Sequence, residues 1–144
     1  MNNREEKRYR INRKGFTLIE LLVVMVILAM LAAIVGPKLF GKVGKGKQSA
    51  AKTQIEMLGQ ALDSYRLDTG HYPNTSQGLN ALETNPGVEG WDGPYLKKKL
   101  PEDPWKKPYQ YQSPGTHGDY DLFSYGADGA PGGEGENKDV NSWE

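Results

Sequence analysis

The chain has no cysteine among its 144 residues. A small exported domain made from it therefore has no disulfide to close it and must rely on packing, a partner or a metal ion. Histidine is almost as scarce: His71 and His117 are the only two, each in a turn-like stretch. Neither has a Ser, Asp or second His at a spacing that suggests a catalytic triad or a zinc site. Net charge is lacking too, with 18 acids against 18 bases, which removes the electrostatic reason to expect a nucleic-acid partner. The glycine-rich stretches lack the strand-to-helix setting and the Gly-Lys-Ser/Thr ending of a phosphate loop. No internal repeat is visible, and an enzymatic reading has little to stand on.

What the chain does have is a long apolar run. Phe16 to Val35 is twenty residues whose only charge is Glu20, about the length a helix needs to cross a ~30 Å hydrocarbon core. An ordinary secretory signal has a shorter apolar stretch, with its cleavage site after it; here Lys14-Gly15-Phe16 comes before it. The first fifteen residues carry six bases (Arg4, Lys7, Arg8, Arg10, Arg13, Lys14) against Glu5 and Glu6, whereas 119 to 144 holds seven acids and one base, Lys138. Five lysines between Lys38 and Lys52 put positive charge on the far flank as well, and the denser leader favours a cytoplasmic N-terminus. A carboxylate within an apolar span costs roughly 2.5–3.5 kcal/mol, so Glu20 needs compensation. Either it snorkels to the interface, or a cut after Gly15 leaves a new α-amino group one helical turn away, where the helix dipole also favours negative charge.

Gly36-Pro37 closes the apolar run and predicts a kink or a melted turn. Gly41 to Lys47, three glycines and three lysines, is a poor helix former and reads as a flexible neck. Beyond it Ala51, Ile55, Leu58, Leu62 and Tyr65 recur at spacings of four and three, one stripe of an amphipathic helix whose ordinary use is packing. Thr69-Gly70 supplies the stop, with Gly70 as a left-handed cap. Ser76 is placed to cap a short helix through Glu83, which Asn85-Pro86-Gly87 ends. Pro108 to Gln112 and Tyr120 to Tyr125 suit two strands of a hairpin joined by 114–118, with Trp105 covering one face. The segments are thus 1–15 as a basic leader, 16–37 as a membrane helix, 38–70 as an amphipathic helix, and 71–144 as a globular part.

The run Tyr125 to Asp139 has five glycines, four acids and almost no apolar side chain, so burial cannot order it. Hard oxygen ligands on a tightly turning backbone suit Ca²⁺, although the spacing is not that of an EF-hand. A solvated acidic tail is the alternative.

Lys14-Gly15-Phe16-Thr17-Leu18-Ile19-Glu20 resembles the class III leader junction of type IV pilins and type II secretion pseudopilins. That resemblance implies cleavage between Gly15 and Phe16 by a prepilin peptidase, N-methylation of Phe16, and pairing of Glu20 with the Phe16 amine of a neighbouring subunit. Further along, Tyr72-Pro73, Gln77-Gly78-Leu79, Ala81-Leu82, Asp103-Pro104-Trp105, Pro114-Gly115, Tyr120-Asp121-Leu122, Gly126-Ala127-Asp128-Gly129 and Asp139-Val140 before Trp143 are similar, in order, to the major pseudopilin family, protein G of the general secretion pathway. The resemblance implies a calcium site in the C-terminal loop: Asp128 and Asp139 match its aspartates, and Asn137, Glu136 and the carbonyls of Tyr125 and Ala130 are further candidate ligands. It also implies an α+β pilin-like ladle, a long N-terminal helix packed on a small antiparallel sheet with a calcium-ordered loop. Such a chain would span the bacterial inner membrane once, with a periplasmic C-terminal domain. It would polymerise with copies of itself into a periplasmic pseudopilus that drives folded proteins outward, and its partners would be minor pseudopilins, the prepilin peptidase, an inner-membrane assembly platform and lipid. Type IV pilins, minor pseudopilins and membrane-anchored binding domains are the competing classes; many type IV pilins close their C-terminal region with a cysteine pair, which this chain lacks.

Overall fold

A computed structural model describes residues 14–144; most of the expected leader lies outside them. Two compact units divide the chain, one ending at Lys38 and the other running Leu39–Glu144. Helix α1 spans Leu18–Thr69, and three short strands follow: β1 (Gln110–Gln112), β2 (Asp121–Ser124) and β3 (Val140–Asn141). Two 3-10 turns intervene, Leu79–Leu82 and Gly135–Asn137. The sheet has the order β1-β2-β3 and both pairings are antiparallel. Tyr111 faces Leu122 across the first, and Ser124 faces Val140 across the second.

In the second unit the expected stripe is the core face. Ala51, Ile55, Leu58, Leu62 and Tyr65 are all buried, joined by Ala61 one turn away. Against them pack Leu79, Ala81 and Leu82 from the first 3-10 turn, Tyr109 and Leu122 from the hairpin, and Val140 from β3. Each such leucine contributes roughly 1.5–3 kcal/mol by leaving water. An aromatic layer completes the packing: Tyr65 meets Tyr95 edge-on at 5.7 Å, and the Trp91 indole donates to the Ala81 carbonyl at 2.7 Å. The helix stops as the sequence predicts, because Gly70 turns to φ +87° while its N–H bonds the Arg66 carbonyl at 2.7 Å.

Three local expectations are corrected. Gly36-Pro37 does not melt into a turn, since α1 runs through both residues. The proline forfeits one bond, to the Ala33 carbonyl, whereas a melted turn in apolar surroundings would strand several backbone groups. The neck at Gly41 to Lys47 is helical too, because the C-terminal loop packs on it: a Cβ on Gly44 would lie 3.1 Å from the Glu136 side chain. Ser76 is not the cap of the next segment. Asn74 and Gln77 instead exchange side-chain bonds with each other's backbone N–H groups at 2.8 and 2.9 Å. The regular segment shrinks to Leu79–Leu82, and the Asn85 side chain then closes it by accepting from the N–H groups of Gly87 and Val88.

Candidate functional site

Two places hold the residues that the sequence singles out. The first is the start of α1. Thr17 and Glu20 form a reciprocal box: the Thr17 N–H donates to Glu20 Oε2 at 3.2 Å, and the Glu20 N–H donates to Thr17 Oγ1 at 3.3 Å. This arrangement satisfies two of the orphan donors of a helix N-terminus and sets a carboxylate at the positive end of the dipole. From here the helix carries an eighteen-residue window of mean hydropathy 3.1, none of it buried among the described residues. Phe16, Leu18, Ile19 and Leu22 are all exposed. The segment is long and apolar enough to cross a membrane.

The second place is the loop 125–139, which folds back on itself. The Ala127 N–H bonds the Glu136 carbonyl at 3.0 Å, and the Gly132 N–H donates to Asp139 Oδ2 at 2.9 Å. Gly126 and Gly133 admit the Asn137 carbonyl at distances that a Cβ would not tolerate, 2.9 and 2.6 Å, and both have positive φ. Asp128 is exposed, its Oδ1 accepting locally from the Ala130 N–H at 3.1 Å. The other Asp139 oxygen, Oδ1, is buried and meets no hydrogen-bond donor. A buried carboxylate oxygen without a partner is costly, and a cation is the natural group to satisfy it. Among the described residues no three His, Cys, Asp or Glu side chains gather as a metal cluster. The loop offers only hard oxygen donors, its carboxylates and carbonyls, and such donors suit Ca²⁺ and not zinc.

Glu136 is directed elsewhere. Its carboxylate accepts from the Trp105 indole at 3.3 Å and lies 3.7 Å from Lys47 Nζ, against the Gly44 notch of α1. Trp105 is therefore tied to the loop as well as resting on the core.

Several residues that support this loop escaped the sequence reading. Gln48 Nε2 donates to the carbonyls of Lys138, Gly135 and Glu136 at 2.8, 3.2 and 3.4 Å. Lys107 Nζ donates to the Ala127 carbonyl at 2.8 Å. Buried Asp103 accepts from the N–H groups of Trp105 and Lys107 and from the Ser124 hydroxyl at 2.6 Å, while Ser124 Oγ accepts from the Gly126 N–H. A signal for Gln48 was present: continuing the packed stripe backward from Ala51 by three and then four reaches Gln48 and Gly44, a polar residue and a gap on an otherwise apolar face.

The two histidines take no catalytic arrangement. His117 stacks flat on Trp143 at 3.9 Å, with Nδ1 3.0 Å from buried Asp121. Asp121 also accepts from the N–H groups of Thr116 and His117, so it pins the hairpin loop. Burial alone would push the Asp121 carboxyl up, but these hydrogen bonds outweigh it and leave it below the ordinary carboxylate range.

Comparison with known proteins bears on both places. The prokaryotic N-terminal methylation motif matches residues 10–36, and the type II secretion system protein G family matches residues 38–143. The chain is similar to the type II secretion system core protein G of Pseudomonas aeruginosa, 46% identical over 139 residues covering 94% of this chain and 98% of that protein. It is 50% identical to the core protein G of Vibrio cholerae over 133 residues, 90% of each chain. A crystal structure of the major pseudopilin from the type 2 secretion system of enterohaemorrhagic Escherichia coli superposes with a TM-score of 0.62 at 36% identity, covering 73% of this chain and 89% of that one. The chain belongs to the type II secretion system protein G family.

Proposed function

We infer that this chain is the structural major subunit of a type II secretion pseudopilus, a filament former and not an enzyme. The observation that carries the reading is the family match over 38–143 joined to a methylation motif over 10–36. In this reading the chain waits in the inner membrane on its apolar half, with the second unit in the periplasm. Cleavage between Gly15 and Phe16 exposes the Phe16 amine, which is N-methylated. Glu20 then exchanges its bond with the Thr17 N–H for the Phe16 amine of a neighbouring copy. An unpaired carboxylate among packed apolar helices would be strongly destabilising, so the pair sets the register between subunits. Minor pseudopilins and an inner-membrane assembly platform are the further partners, and extension of the filament moves folded proteins across the outer membrane.

The same reading gives the loop 125–139 a calcium ion, held by Asp139 and Asp128 with Asn137 and the carbonyls of Tyr125 and Ala130. The buried, partnerless Asp139 Oδ1 supports it. The ion would supply a fixed positive charge that lets oxygen dipoles converge where burial gives no order.

The test of the subunit reading is replacement. Expressed in a type II-secreting bacterium lacking its own major pseudopilin, the chain should restore filaments and export, and Glu20→Leu should restore neither. Persistence of an uncut, monomeric membrane protein would overturn it. For the ion, thermal unfolding of the full chain in detergent should shift upward with calcium, by about 2.7 kcal/mol at a hundredfold excess over Kd. Asp139→Ala should abolish the shift.

A further inference from the structure

We propose that Gln48 is a positioning residue for the C-terminal cation loop, and that through it ion binding and the helical state of the Gly41–Lys47 neck become one equilibrium. The proposal rests on the calcium reading above and goes beyond it to residues outside the loop.

One side-chain amide reaches three backbone carbonyls, those of Lys138, Gly135 and Glu136. Three acceptors facing one amide also fix which end is nitrogen. The shortest of the bonds grips the Lys138 carbonyl, in the peptide that joins Lys138 to Asp139, between the two candidate ligands Asn137 and Asp139. The other two hold the 3-10 turn that leads into them. Gln48 thus sets the plane of the backbone from which the Asp139 carboxylate projects. Groups that orient ligands without touching the metal typically change affinity roughly 10–100-fold when removed.

The contact works in both directions. Gly41, Gly44 and Gly46 make the neck a weak helix by intrinsic preference, yet it is helical. What holds it lies 87 to 92 residues away in sequence: the Gln48 clasp, the Lys47 ion pair, and the Glu136 side chain in the Gly44 notch. A loop ordered by an ion fastens these contacts, and a loop without one releases them. By linkage, the factor by which ion binding stabilises the neck helix equals the factor by which forming that helix tightens ion binding.

The experiment is calcium titration of the full chain in detergent, paired with amide hydrogen exchange with and without chelator. Wild type should show calcium-dependent protection of amides 44–52. Gln48→Leu removes the donors, and Gln48→Glu turns acceptor oxygens toward the three carbonyls. Both should weaken calcium binding roughly 10–100-fold and lose the neck protection, while the amides of Leu58 to Tyr65 stay protected in the calcium-free state. Gln48→Arg, which restores N–H donors, should recover much of the affinity. Wild-type affinity in both Leu and Glu variants, or neck exchange indifferent to calcium, overturns this proposal alone. A wild-type chain that binds no calcium overturns the calcium reading and this proposal with it.

Discussion

Both halves of α1 are rich in apolar side chains, yet among the described residues only the C-terminal half buries a stripe of them. From Ala51 to Tyr65 the apolar side chains other than the exposed Met57 occupy one stripe, and every member of it is buried. From Leu18 to Val35 they occupy every side of the helix, and none of the most hydrophobic window is buried. The first pattern completes a fold. The second is a helix that is apolar all round, the kind that lies within a membrane or a large assembly. One continuous element therefore carries two kinds of specification: an internal one, met by the chain, and an external one, met by lipid or by other copies.

The sharpest way to break that contrast is to make the same truncation in both halves. Leu58→Ala should lower the unfolding free energy of the full chain in detergent by about 2–5 kcal/mol, read by near-ultraviolet circular dichroism against denaturant. Leu28→Ala should leave that transition where it is, and a comparable loss would dissolve the distinction. A charge in the first half should do the converse. Val26→Arg should cost about 2.5–3.5 kcal/mol of membrane insertion, seen as loss from the membrane fraction, while the near-ultraviolet spectrum of the second unit stays native. At the neck, Gly44→Val would place a side chain against Glu136, whose Cγ lies 3.1 Å from the Cβ position. An overpacking cost of about 1–3 kcal/mol is expected, with a changed Trp105 emission as its indole loses the Glu136 oxygen. The smallest effect is in the sheet. Because Asp121 is held below its ordinary range by His117 and two backbone N–H groups, its contribution is present above the unfolded carboxylate value. That contribution is lost as pH falls through the folded value. Asp121→Asn should flatten the acid limb of the stability profile without altering the neutral-pH spectrum.

How much was legible in the sequence follows from the range of the interactions. The Ala51-to-Tyr65 stripe, the Gly70 stop and the hairpin are each encoded within a few residues by periodicity or turn chemistry, and all three are present, with the hairpin strands shortened to Gln110–Gln112 and Asp121–Ser124. Val140–Asn141 as a third strand was not legible, because two residues carry no alternation. The neck was misread because its glycines argue locally for disorder while the contacts that fix it come from the far end of the chain. The cap before Leu79 was misplaced since Asn74 and Gln77 act as a pair, and neither alone stands out from Ser76. In the candidate sites, Glu20 was legible as a charge in an apolar run, but its bond to the Thr17 backbone was not. For the loop, composition left oxygen ligation of a cation and a solvated acidic tail both open, whereas Gln48, Lys107 and the Asp103–Ser124 bond depend on tertiary placement.

The bare apolar half of α1 also bears on what can make such a filament grow. Lipid tails are as apolar as leucine, so moving this segment from a bilayer into contact with other helices releases almost no water-ordered surface. Extraction and polymerisation are then close to an isoenergetic exchange, settled by packing and by single polar contacts such as the one proposed for Glu20. A process so nearly balanced runs forward or backward with little bias of its own, so sustained elongation against a load would require work from an external motor.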